Sequence, residues 1–401
     1  MNKTNSPRPY ATGLSLYRGL PRSIYILFIV RVFNRFGDFV QILLVLILTG
    51  KLGLNSSQAG LFVSASILAT MFGQLFSAYG SKRWHIKSLL VFCQLVVSAS
   101  YLLCAVSYLT QPQFIPYLIL LASPFRGGTA PLTNTLVAQF SKPDELGRSF
   151  SLLYLGTNVG VAIGPVVASL LYVRSLFLLF LFSSCLLLGT TLLLMCGIRQ
   201  IQVQQSFEKT RVNLHIGKPL WFFFGLFVFY SLLYGQNTFT LPLQFSALYG
   251  QNEGSSMFAS LMMVNAITVL VATTFLTSWT YRLGQLSCMA LAMLFYTIGY
   301  GMYGFCTSFL SFLGATVIWT LGEILMATNA NVFVNAYSPV ALRSQANAYL
   351  TTSSSLGHAL APTLGGFFLL VGDYRQLWLL GGALCFLLGC GYIGINKYLQ
   401  K

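Results

Sequence analysis

The sequence predicts an all-α membrane protein of twelve transmembrane helices in two pseudo-symmetric six-helix bundles, with both termini cytoplasmic. Three observations carry that expectation: too little charge for a water-soluble globule, twelve apolar runs of membrane-crossing length, and a repeat that maps one half of the chain onto the other. Apolar residues make up 56% and charged residues 7% of the 401, whereas soluble domains carry about 25% charged residues. Mean hydropathy is +0.73.

A window of about 19 residues places the apolar segments at 24–48, 56–79, 86–109, 114–140, 147–173, 175–197, 219–247, 254–280, 285–306, 309–337, 343–371 and 374–396. The polar stretch 1–21 contains Lys3, Arg8 and Arg18 and lacks the apolar core and small-residue cleavage site of a secretory signal, so the first segment is expected to be retained. Of the 23 lysines and arginines, only Lys51, Arg174 and Arg375 fall in connections on one side, and Arg31, Arg35 and Arg126 lie inside segments. All others fall on the opposite side, which the positive-inside rule makes cytoplasmic. One long polar connection, "QIQVQQSFEKTRVNLHIGK", follows the sixth segment. The expected organisation is a cytoplasmic stretch 1–22, a first bundle 23–197, a linker 198–218 and a second bundle 219–401. The net charge of +16 is scattered between apolar runs rather than gathered on a face, which argues against nucleic acid.

A shift of 197 residues brings "GVAIGPVVAS" (160–169) onto "GHALAPTLGG" (357–366). The same shift carries Ser141 onto Ser338, Asn134 onto Asn331, Ala130 onto Ala327 and Arg126 onto Glu323. A second match, "GQLFSAYGSKR" with "TSWTYRLGQ", needs a shift of 204. Parallel repeats of this kind are a mark of transporters built from two halves.

The glycines of the fifth segment, Gly156, Gly160 and Gly164, are spaced at four residues and followed by Pro165. That spacing strips side chains from one stripe so that another helix can come close, and the proline removes a backbone hydrogen bond and permits a bend. Gly357, Ala361 and Pro362 repeat the pattern in the eleventh segment. The stripe reads as a gating seam between bundles or as plain packing.

These residues resemble the Major Facilitator Superfamily, in its twelve-helix drug:proton antiporter type. "GTNVGVAIGPVVAS" is similar to the antiporter motif G-x-x-x-G-x-x-x-G-P-x-x-G-G, with Ala168 and Ser169 in place of the last glycines. Gly73, Leu75, Gly80, Lys82 and Arg83 match the loop motif G-x-L-x-D-R-x-G-R-[KR], which departs at Ser77, Ala78 and Ser81. Arg126, before Gly127 and Gly128, matches the buried arginine of the fourth helix, and Gln139 stands where that helix commonly ends in aspartate. The resemblance implies a monomeric transporter in a bacterial cytoplasmic membrane. It also implies that polar residues of helices one, four, five, seven and ten face a central cavity: Asn34, Arg35, Gln41, Asn134, Asn158, Tyr234, Gln236, Asn237, Asn329 and Asn331.

Five charges sit well inside the apolar segments, away from their ends: Arg31, Arg35, Asp38, Arg126 and Glu323. Each costs about 2.5–3.5 kcal/mol at the bilayer centre when unpaired, so these residues must pair or line a wet cavity. Arg31, Arg35 and Asp38 follow at i, i+4 and i+7 on one stripe of the first segment; Arg31 is also near enough to the cytoplasmic end to snorkel there. A carboxyl group in such a cavity is pulled between desolvation, which favours its neutral form, and a neighbouring arginine, which favours its charged form, so it can exchange a proton. Asp38, Arg126 and Glu323 are therefore the candidate proton-coupling residues; the alternative is a static salt bridge. His358 reads either as a relay or as a packed histidine bonded to its surroundings.

The eight cysteines lack metal-ligand spacing and fit apolar packing. No phosphate-binding loop of the P-loop type occurs, and neither a cofactor, a metal nor an enzymatic activity is expected. The expected partners are protons, a small-molecule substrate and the lipid bilayer. The function expected is proton-coupled export of small amphipathic or cationic molecules. The alternatives are uptake of a peptide or organic anion with protons, because the arginines could bind an anion, and a non-transporting sensor or lipid-handling protein.

Overall fold

The computed structural model describes residues 17–36, 38–80, 83–142, 145–198, 217–280, 283–339 and 343–400, apart from some side chains within its helices. The long helices are α1 (Arg22–Phe36), α4 (Ser56–Gly80), α5 (Ile86–Thr110), α6 (Ile115–Phe140), α7 (Leu146–Arg174), α8 (Leu176–Gly197), α9 (Lys218–Tyr249), α10 (Gln251–Thr280), α11 (Gln285–Tyr303), α12 (Phe309–Tyr337), α13 (Arg343–Val371) and α14 (Tyr374–Leu399). Two short pieces, α2 (Phe39–Ile42) and α3 (Leu44–Leu46), continue α1 and run into a π-helical turn, Ile47–Lys51. In a bilayer a helix satisfies its backbone groups within the segment, which is why an apolar chain of this length adopts one helix after another.

Among the described residues, eleven spans are long and apolar enough to cross a membrane. The segment expected at 114–140 forms α6 but is not among them; it carries Pro124, Arg126 and Pro131 within its apolar run. Exposed apolar side chains on the long helices, among them Phe72, Leu170, Val271, Phe275 and Val371, suit contact with lipid tails.

The first segment differs from the single helix expected at 24–48. Helix α1 stops at Phe36, and Asp38 occupies a turn before α2 begins at Phe39. The backbone N–H of Asp38 donates to the Arg35 carbonyl at 3.3 Å, and its own carbonyl accepts from the N–H groups of Gln41 and Ile42, each at 3.1 Å. Gly37-Asp38 is a weak helix-forming dipeptide, so the continuous apolar run masks a local preference to break. Irregular backbone at membrane depth is tolerated where it is enclosed by protein or lines water.

Packing divides along the chain. One core cluster draws almost wholly on α9 to α14, including the stacked or edge-on rings of Tyr230, Tyr296, Tyr300, Tyr303, Trp319 and Trp378. Two further clusters draw on α1 to α8, with Phe239 and Leu243 of α9 joining one of them. Between the halves, α4 packs on α13 and α10 packs on α7. The sequence repeat carries α7 onto α13 and α4 onto α10, so these two crossings are equivalents of each other.

Both crossings are tight at one end of the bundle. The Ser56 hydroxyl donates to the Gly366 carbonyl at 3.3 Å, and a Cβ on Gly366 would lie 2.5 Å from the Ser56 carbonyl oxygen. A Cβ on Gly60 would collide with the Pro362 carbonyl, and the Thr363 hydroxyl donates to Ser64 at 2.7 Å. At the equivalent crossing, the Ser169 hydroxyl lies 3.4 Å from that of Ser255 and 3.3 Å from that of Ser256. Ser169 and Gly366 occupy the same place in the repeat. Ser56, Gly60 and Ser64 thus form a small-residue stripe that lets two backbones touch.

Candidate functional site

Helices α4 and α6 come together through reciprocal glycines. A Cβ on Gly73 would collide with the Pro124 carbonyl of α6, and a Cβ on Gly127 would collide with the Thr70 carbonyl of α4. That closeness sets Thr70 beside Arg126, whose Nη2 donates to the Thr70 hydroxyl at 3.0 Å. The other fork nitrogen, Nη1, lies 3.3 Å from Oδ1 of Asp38. The remaining oxygen of Asp38, Oδ2, lies 3.1 Å from Nη1 of Arg35. The carboxylate at the helix break is therefore held between two guanidinium groups from different helices. Its side chain keeps 21% exposure and that of Arg126 keeps 19%, so the pair is half-buried but open to a proton.

Around this clasp lies a cavity of about 140 Å³, lined by Arg31, Asn34, Arg35, Asp38, Thr70 and Arg126 together with Gln74, Gln94, Tyr101 and Thr133. Such a space holds about five waters, at about 30 Å³ each. Arg31 donates to the Asn134 amide oxygen instead of reaching for the end of its helix. Asn34 accepts from Gln94 at 3.1 Å, and Gln94 in turn accepts from Thr191 at 3.1 Å. Gln41 accepts from Ser66 at 3.5 Å, and Ser66 shares a hydroxyl contact of 2.5 Å with Ser123.

A second polar cluster sits in the other half. The Tyr234 hydroxyl donates to Glu323 Oε1 at 2.7 Å, and the Asn265 amide donates to Oε2 at 2.7 Å and to Thr320 at 2.9 Å. No arginine or lysine pairs with Glu323 among the described residues. The His358 ring meets Tyr234 edge-on at 5.6 Å, and its Nδ1 lies 2.8 Å from the Ser354 carbonyl of its own helix.

The remaining sequence-predicted residues fall elsewhere. Gln236 donates to the Ala361 carbonyl at 2.9 Å, and Asn237 donates to the Tyr300 hydroxyl at 2.8 Å, both buried within the second half. Asn329 donates to the Leu325 carbonyl and the Asn331 carbonyl accepts from Asn335, each at 2.8 Å. None of these four lines the arginine cavity. The side chain of Asn158, and Lys82 altogether, lie outside the described residues. Gly156 faces Phe28 and Val32 of α1, inside its own half, and Gly357 faces Val228 and Ser231 of α9. Gly160, Gly164 and Pro165 are buried along α7. Ala361 packs on Gly235 in its own half, whereas Pro362 faces Gly60 across the halves. Leu75 is exposed, Gly80 closes α4 against Leu89 and Trp84, and Arg83 is exposed at the following turn.

Sequence reasoning passed over Thr70, Gln94, Tyr101 and Asn265, which are neutral residues inside apolar runs. It also passed over the stripe Ser56-x-x-x-Gly60-x-x-x-Ser64, which the same four-residue spacing used for the fifth segment would have found.

A family model of the Major Facilitator Superfamily matches residues 27–267 and 251–396. The chain belongs to the Major Facilitator Superfamily. It is 23% identical over 361 residues to YttB of Bacillus subtilis (strain 168), described as an uncharacterized MFS-type transporter, covering 86% of this chain and 88% of that protein. It is 20% identical over 361 residues to a Na(+), Li(+), K(+)/H(+) antiporter of Planococcus maritimus, covering 80% of this chain and 85% of that protein. An auto-inhibited POT family peptide transporter shares the fold, with a TM-score of 0.80 at 13% identity over 94% of this chain and 97% of that one. This superfamily protein is accordingly an integral membrane transporter of a small molecule and not an enzyme.

The glycine pair of the α4–α6 crossing makes one expectation direct. Gly127→Ala forces the two backbones apart, an overpacking cost of about 1–3 kcal/mol, and separates Arg126 from Thr70. A lowered melting temperature in detergent is expected, and a wild-type value would show that the helices yield without loss.

Proposed function

We propose that this protein is a proton-coupled secondary transporter that works by alternating access, with Asp38 as the group that takes and gives up the proton. The observation that carries this reading is the clasp: a half-buried carboxylate at a helix break, each oxygen on a different arginine, on the wall of a polar cavity. Protonation cancels the charge that holds both arginines, so one proton changes the partners of three side chains on α1, α6 and the turn after α1. The same reading places twelve crossings and both termini on the cytoplasmic side of a bacterial cytoplasmic membrane. The tight ends of the α4–α13 and α7–α10 crossings then face outward, and the conformation is open to the cytoplasm.

Each direction of coupling has its own support. The glycine motif of α7, and a relative named as a cation/proton antiporter, support export in exchange for protons. The excess of arginine in the cavity supports the entry of an anion together with a proton. Counterflow in proteoliposomes, with and without a pH gradient, using tetraphenylphosphonium and succinate as probes, tests the proposal. A gradient-driven accumulation of either probe supports it, and the direction of the driving gradient names the mode. Accumulation unaffected by the gradient would overturn it.

Glu323 is the competing proton site. Glu323→Gln is expected to leave gradient-driven accumulation in place, because its carboxyl has no arginine to release; loss of accumulation in that variant would move the proton site from Asp38 to the second half.

A further inference from the structure

The charges on the cavity wall do not balance. Among the described residues that line it, three guanidinium groups, Arg31, Arg35 and Arg126, stand against the single carboxylate of Asp38, an excess of two positive charges. The other titratable group on that wall is Tyr101 of α5, a neutral phenol. From α4 come Thr70 and Gln74 and from α8 Leu187, none of them charged. Arg31 shares the cavity wall with Arg35 and Asp38, and its Nε is buried with no hydrogen-bond partner. A buried donor without an acceptor carries a cost that a bound acceptor would remove. A cation entering here would meet a repulsive field. An oxyanion would find forked donors already gathered.

We infer that the cavity is a small-oxyanion site, in which Arg31, Arg35 and Arg126 bind a carboxylate or phosphate group of the substrate. This names the substrate class of the transporter proposed above and rests on that reading for its role in transport, though the anion site itself does not depend on it. The room for about five waters suits an anionic group with a few attached atoms and no large ring system. Asp38 is the site's internal competitor. When ionised it occupies Arg35 through Oδ2 and Arg126 through Oδ1; when protonated it leaves both forks to the ligand. Anion and proton therefore bind together, and the expected mode is co-transport.

Binding to the purified full chain in nanodiscs tests the inference, with succinate, phenyl phosphate and tetraphenylphosphonium as probes at fixed ionic strength. Wild type is expected to bind succinate or phenyl phosphate more tightly at acid than at alkaline pH. Preference for one of the two separates a carboxylate site from a phosphate site. In Asp38→Asn the anion is expected to bind roughly tenfold tighter than in wild type at alkaline pH, because the competitor is gone. Adding Arg31→Gln, which keeps a donor for Asn134, should remove that gain. Circular dichroism and size-exclusion profiles establish that each variant is folded. Absence of binding by both anions in wild type and Asp38→Asn would overturn the inference, as would tetraphenylphosphonium binding that Asp38→Asn abolishes. Anion binding that is arginine-dependent but equal at all pH values and unchanged by Asp38→Asn keeps the anion site and sinks the proton role of Asp38. Proton release on tetraphenylphosphonium binding, with no anion binding, does the reverse.

Discussion

Asp38→Asn is expected to abolish gradient-driven accumulation, down to the level of protein-free liposomes, while exchange of substrate at zero gradient continues. The reason lies in the clasp. An asparagine amide keeps the shape and can still accept from one guanidinium, but it can neither bind nor release a proton at any working pH. Transport steps that need only substrate binding and alternating access survive, and steps that need the gradient fail. Arg126 tests the same unit from the other side. Arg126→Met leaves Asp38 with one arginine instead of two and is expected to destabilise the protein by about 1–2 kcal/mol, less than for a fully buried pair because Arg35 still faces the carboxylate. Arg126→Lys supplies charge without a planar fork and is expected to recover part of the stability but little of the rate. Combining Arg126→Met with Asp38→Asn should return the melting temperature toward wild type and leave transport uncoupled. If the single Arg126→Met variant melts as wild type does, the pair contributes nothing and the clasp is incidental.

The second large effect is expected at the seam between the halves. Gly60→Val and Gly366→Val each place a branched side chain where the partner backbone now sits, Pro362 in one case and Ser56 in the other. Overpacking of this kind costs about 1–3 kcal/mol, and each 1.4 kcal/mol is a factor of about ten in population. Because the collision exists only while that end is closed, the cost falls on one conformation and drives the protein toward the other. Spin-label distances between the α4–α5 and α10–α11 connections at the opposite end are expected to shorten in these variants. Unchanged distances with normal folding would mean that the seam does not set the balance. The equivalent change at the second crossing, Ser169→Val, is expected to act in the same direction and more weakly, since a hydroxyl contact of 3.3 Å leaves more room than a backbone contact.

Much of this architecture was legible in the sequence because membrane depth and charge bias act on long stretches. Segments expected at 309–337 and 343–371 coincide with α12 and α13, and the other long helices apart from α1 end within a few residues of expectation. The break before Asp38 was not legible in the same way, because a hydropathy window averages one polar dipeptide into two apolar flanks. Of the candidate site, Arg31, Asn34, Arg35, Asp38 and Arg126 could be picked out as costly residues in lipid, and they share one cavity. Gln236 and Asn237 are polar for another reason. They hold α9 to α13 and to Tyr300 of α11, and a polar residue in a helix run is satisfied as readily by a neighbouring helix as by a cavity. Neutral groups such as Thr70 and Gln94 carry no signal until the rotation of each helix is known, and that rotation is fixed here by glycine contacts such as Gly73 on Pro124.

Infrared spectroscopy of the reconstituted protein during acidification tests the central claim most directly, because the carbonyl stretch of a protonated carboxyl group is separate from that of a carboxylate. The account predicts that one component of the band that grows on acidification in wild type is kept in Glu323→Gln and lost in Asp38→Asn, above the contribution that the chain's other carboxyl groups make to every variant. A component that is kept in Asp38→Asn and lost in Glu323→Gln would contradict it, and would place the proton in the second half.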